Sequence, residues 1–113
     1  MKLQDYSKVA LSTLVDGQEF GDISPQLMDQ VLGLTGESGE IAEKFKKLIR
    51  DKQGKLTEAD KAEIIKELGD VLWYITTISH LIGSDIEEIA RLNNEKLLSR
   101  KARNVIDGSG DNR

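Results

Sequence analysis

Glu67-Leu68-Gly69-Asp70-Val71-Leu72-Trp73-Tyr74-Ile75-Thr76-Thr77-Ile78-Ser79-His80-Leu81-Ile82 is the longest apolar stretch of the sequence, and it opens with two carboxylates. At about 100° per residue, Leu68, Val71, Leu72, Ile75, Ile78 and Ile82 line up as one helical stripe, with Glu67 at its margin and Asp70 further round beside Tyr74. Trp73 and Leu81 fall outside that stripe, so the second half of the helix is apolar nearly all round. A lone surface helix would not be. An unpaired carboxylate taken out of water costs several kcal/mol, so Glu67 and Asp70 need a cation, donors or water beside them.

The surrounding sequence has the marks of an all-α chain. With 113 residues it fits one domain, residues 1–113, and 32% charged residues, 4% aromatics and one proline suit helices better than a sandwich or barrel. Leu3 to Leu14 reads as a first helix ending at Asp16-Gly17. Ser24-Pro25 supplies an N-cap and a first-turn proline for a long second helix, whose Leu27, Val31, Leu34, Ile41, Phe45, Leu48 and Ile49 share a face up to a stop near Gln53-Gly54. Thr57 caps the third helix, which runs to Ile82, with Gly83 closing it. Ser84 or Asp85 caps a fourth, reaching about Arg100. Gly33, Gly36 and Gly39 interrupt the second helix without shifting its apolar phase, which points to close approach of another group rather than a break. Asn104 to Arg113 is a polar tail with no helical pattern, to be read as disordered or as a lid.

Composition also narrows function. A net charge of −4 argues against a general nucleic-acid surface, and the absence of cysteine removes disulfides and thiolate metal sites. No apolar run spans a bilayer and no leader pattern opens the sequence, so a cytoplasmic protein with no membrane partner is expected.

The informative exception on the second helix is Glu37, which falls inside the apolar stripe about 40° from Ile41, with Glu40 at its edge. Glu37 and Glu40 stand at i, i+3, and Glu67 and Asp70 repeat that spacing. If the two helices pack antiparallel through their apolar faces, four carboxylates can converge between them. Such a cluster is repulsive unless a divalent cation sits in it, and an all-oxygen set selects Mg²⁺ or Mn²⁺. Solvated acids on helix surfaces are the bland alternative. Di-iron carboxylate proteins use Glu-x-x-His pairs, and the single histidine, His80, has no acid in register, which leaves it a core or interface polar residue.

Gly36-Glu37-Ser38-Gly39-Glu40-Ile41-Ala42-Glu43 and Glu67-Leu68-Gly69-Asp70-Val71-Leu72-Trp73-Tyr74 together resemble the E-x-x-E … E-x-x-D signature of MazG-like nucleoside triphosphate pyrophosphohydrolases. The resemblance extends from Tyr6-x-x-x-Ala10-x-x-Thr13 to Lys96-Leu97-x-x-Arg100. It implies a four-helix all-α fold of long antiparallel helices, assembled as a homodimer or dimer of dimers. It also implies Mg²⁺-dependent hydrolysis of an NTP or dNTP to the monophosphate and pyrophosphate, with Glu37, Glu40, Glu67 and Asp70 as catalytic metal ligands. Water would attack the α-phosphorus, with Glu37 or Glu40 as its base. Lys96, Arg100 and Arg103 recur at i, i+4, i+7 and can clamp the leaving pyrophosphate, helped by Lys44 or Lys47; a solvated basic helix end is the alternative. Tyr74 is assigned to the nucleobase, and Trp73 to core or subunit interface. The competing readings are a non-catalytic helical oligomerisation module and, within the fold, a hydrolase of a phosphoribosyl-linked nucleotide.

Overall fold

In the computed structural model, which describes residues 1–113, the chain forms four helices and no strand: α1 (Leu3–Ser12), α2 (Pro25–Lys52), α3 (Glu58–Leu81) and α4 (Ile86–Ala102). None is long and apolar enough to cross a membrane. The caps account for the boundaries. Ser24 Oγ accepts the Leu27 amide at 3.0 Å ahead of Pro25, and Asp85, rather than Ser84, accepts the Glu88 amide at 2.7 Å to start α4. At the end of α3, Gly83 takes a φ of 83° and lets Ser84 donate its amide back to Ser79 O at 2.8 Å. α1 stops two residues short of the Leu14 expected from its periodicity, because Thr13 turns out of the helix and bonds back to Ala10 through its amide and hydroxyl.

α2 and α3 form an antiparallel hairpin. Lys52 meets Asp60 beside the turn, Lys44 meets Glu67 further along, and Gly33 meets Tyr74 and Gln30 meets Thr77 towards the far end. Leu27, Leu48 and Ile64 are its buried apolar residues. α4 folds back on α3 through a groove that includes Leu72, Ile75, Ile86 and Ile89. α1 packs on no other helix, and Leu3, Tyr6, Val9 and Leu11 are exposed. The radius of gyration is 20.1 Å, against about 13 Å for a compact domain of this length. On α3, Leu72 and Trp73 are each more than half exposed, as are Ile82 just after it and Ile49 on α2. One copy of the chain therefore covers little of its own apolar surface.

The start of α3 carries a pH-dependent lock. Asp60 accepts from the Thr57 hydroxyl at 2.8 Å, the Thr57 amide at 3.0 Å and Lys52 Nζ at 3.0 Å, and returns its own amide to Thr57 Oγ1 at 3.1 Å. Those donors, the Thr57 hydroxyl first, lower its pKa to about 2. A carboxylate depressed on folding stabilises the fold above its unfolded pKa of about 4, and that contribution is lost as pH falls through about 2. Asp60→Asn is expected to lower stability at neutral pH and to flatten the acid limb of a denaturation-versus-pH curve over this interval. Superimposable acid limbs for the two proteins would refute the assignment.

Candidate metal and phosphate site

The hairpin sets Glu37 of α2 opposite Glu67 and Asp70 of α3, one carboxylate oxygen from each lying within 4.8 Å of the other two. Glu37 and Glu67 are partly buried and Asp70 is exposed, so the cluster sits at the rim of the helix pair and is open on one side. The Glu37 carboxyl is pushed above its usual range, chiefly by hydrogen bonding to Glu67, then by desolvation and by the charge of Asp70. Shared protonation is how a carboxylate pair responds to missing counter-charge. Lys44 Nζ lies 3.8 Å from Glu67 Oε1, the one cation at the cluster and a long contact. Glu40 is exposed, outside the three-acid group, yet near enough for its charge to raise the Glu37 pKa further.

This donor set fits a hard divalent cation. It is all oxygen, carries excess negative charge, and is open to solvent for a second ligand.

One turn along α3 from Asp70, Tyr74 lies across the backbone of α2. A methyl group at Gly33 would overlap its ring carbons and stand 2.8 Å from its hydroxyl oxygen. Glycine is thus required at 33 for the ring to lie there, and close approach within a continuous helix is the outcome for this position. A methyl group at Gly36 or Gly39 would meet nothing within 4 Å beyond its own helix turn. Trp73 packs edge-on against Tyr74, centroids 5.0 Å apart, but is 56% exposed, and His80 is exposed as well.

The sequence of these residues matches the MazG nucleotide pyrophosphohydrolase domain over residues 25–105. The chain belongs to that family. A relative in Mycobacterium phage L5, the gene 37 protein, is 46% identical over 82 residues, which are 73% of this chain and 72% of that protein. No solved structure matches it. The matched segment begins with α2 and includes Glu37, Glu40, Glu67 and Asp70, leaving α1 and most of the tail outside it.

The basic residues divide into two groups. Lys44 and Lys47 line a cavity of about 220 Å³ together with Leu48, Lys52, Asp60 and Ile64, at the turn end of the hairpin. Lys96, Arg100 and Arg103 lie on or just after α4, and all three are engaged by the tail. Lys96 Nζ is 3.2 Å from Asp111 Oδ1, Arg100 Nη2 donates to Asp111 O at 2.7 Å, and Arg103 Nη2 donates to Arg113 O at 2.9 Å. Arg113 in turn donates to Val105 O at 3.0 Å and Ile106 O at 2.7 Å. Nothing periodic in the sequence marks Asp111 or Arg113 as partners of α4.

Proposed function

We propose that this MazG-family protein is a divalent-metal-dependent nucleoside triphosphate pyrophosphohydrolase acting on an NTP or dNTP in the cytoplasm, as a homodimer or dimer of dimers. The observation that carries the reading is the convergence of Glu37, Glu67 and Asp70 across the hairpin, inside the segment that matches a nucleotide pyrophosphohydrolase domain. Mg²⁺ is the favoured ion, and Mn²⁺ shares its preference for oxygen. Glu37, Glu67 and Asp70 would hold it, with Glu40 joining when its side chain turns inward. Bound there, the cation supplies charge neutralisation for the triphosphate and polarisation of its oxygens.

The protein's own groups do the rest. Glu37 or Glu40 accepts the proton of the water that attacks the α-phosphorus, and the α–β bridging oxygen leaves with pyrophosphate. Lys44 and Lys47 from α2 and Lys96, Arg100 and Arg103 from the α4 end offer cations to the departing phosphates. Tyr74, held flat by Gly33, walls the side of the site one turn from Asp70 and meets the nucleoside. The test is pyrophosphate release from a panel of NTPs, dNTPs and one phosphoribosyl-linked nucleotide, with and without Mg²⁺. Failure to turn over any of them, with helices intact, would leave a non-catalytic module.

Self-association is supported by the unpacked α1 and the bare outer face of α3. Sedimentation is expected to give a dimer or tetramer, with a melting temperature that rises with protein concentration. A folded monomer at micromolar concentration with a concentration-independent melt would remove this part of the proposal and leave the acids as they are.

A further inference from the structure

The most deeply buried charged group of the protein is Arg100, 4% exposed. Its Nη2 contacts Asp111 Oδ1 at 3.4 Å, and Lys96 Nζ contacts the same oxygen at 3.2 Å. Two cations converging on one oxygen form a seat for an oxyanion. The Arg100 guanidinium is not saturated there, since its Nε is buried with no partner. The seat is built from within, whereas its occupant is held from outside: the Asp111 side chain is 83% exposed. The rest of the tail brings it there. Arg113 ties Val105, Ile106 and Gly110 together through their carbonyls, and Gly110, at a φ of 84°, turns the chain so that its own carbonyl and that of Asp111 both face Arg100.

We propose that Asp111 is a built-in competitor for the phosphate seat of Lys96 and Arg100, displaced when a polyphosphate binds. This rests on the proposed function, in which these cations meet the substrate. A carboxylate offers the pair one oxygen here, whereas a phosphoryl group offers three and more charge, so it wins the exchange. The same cations hold the Asp111 carboxyl below its usual range, Lys96 contributing most, so the competitor stays ionised at neutral pH. Exchange rather than an empty seat keeps Arg100 from standing as an uncompensated buried charge between turnovers.

The test uses the full chain with inorganic pyrophosphate as probe, titrated calorimetrically without metal. Asp111→Asn keeps the backbone carbonyl contact to Arg100 and removes the competing charge. It is expected to bind pyrophosphate about five-fold more tightly than the wild type, the scale of an exposed ion pair. Asp111→Glu should restore the wild-type value, and adding Lys96→Gln to Asp111→Asn should abolish the gain; circular dichroism checks that helix content is kept. Equal or weaker binding by Asp111→Asn overturns the proposal, as does a gain that survives Lys96→Gln. The two readings separate: tighter pyrophosphate binding with no nucleotide turned over keeps the competitor and ends the enzyme reading. Turnover with unchanged pyrophosphate affinity does the reverse.

Discussion

Glu67→Gln is expected to cut pyrophosphate release by at least about 10²-fold, more than the loss that follows removal of a residue merely supporting a metal ligand, and at the same time to make the metal-free protein more stable. Both effects come from the same cluster. Glu37 has a pKa raised on folding, chiefly by hydrogen bonding to Glu67, so in the absence of a cation its ionised form is less favourable in the folded hairpin than in the unfolded chain. The sign follows: a carboxyl raised on folding favours the fold at pH below its unfolded value, and that contribution is lost as pH rises through the folded pKa. At neutral pH the apo cluster therefore strains the hairpin. Replacing Glu67 by its neutral isostere removes that repulsion, and the single long contact from Lys44, 3.8 Å away, does not offset it. The check is a pair of thermal melts. Without metal Glu67→Gln should melt higher than the wild type; with Mg²⁺ the wild type should gain and the variant should not. A variant that melts lower without metal and still gains with it would remove Glu67 from the metal site.

Gly33→Ala is the second large effect, and its sign depends on Tyr74. Alanine is better than glycine in a helix interior by up to about 1 kcal/mol, so on propensity alone the change should stabilise α2. The added methyl overlaps the Tyr74 ring, however, and overpacking of this kind costs about 1–3 kcal/mol. The clash should win, lowering the melting temperature and, by moving the ring off its place beside Asp70, raising KM for the nucleotide about tenfold. In a Tyr74→Ala background the obstacle is gone and Gly33→Ala should become neutral or stabilising. A double-mutant cycle reads this reversal directly. Additive effects at the two positions would mean that Gly33 does not exist to admit the ring.

Much of this site was legible in the sequence because helices convert spacing into geometry. Two i, i+3 acid pairs beside apolar stripes can converge once their helices pack antiparallel; Glu37, Glu67 and Asp70 do, while Glu40, at the edge of its stripe, stays exposed outside the group. Of the three glycines expected at a close approach, only Gly33 meets another group, Tyr74, because the register of α3 against α2 leaves Gly36 and Gly39 facing open space. The caps at Ser24 and Thr57 were readable because a side-chain oxygen before a helical run has one obvious use. The tail was not. Its fold depends on Arg100, Arg103 and Arg113 finding backbone carbonyls, which obeys no period. The isolation of α1 was equally hidden, because its pattern of Val9, Ala10 and Leu14 says only that a face wants covering, and nothing about by what.

That isolation bears on how the chain acquires its structure. Inter-helix packing is confined to α2 with α3 and α3 with α4, neighbours in sequence joined by short turns, so the hairpin and its α4 flap can form by local search on a fast time scale. α1 has no such neighbour. Ten residues of helix are marginal alone in water, so α1 gains least from the packing of this chain. On the proposed self-association, maturation would divide into a rapid step independent of concentration, which assembles the acids, and a slower encounter between chains, which recruits the N-terminal helix.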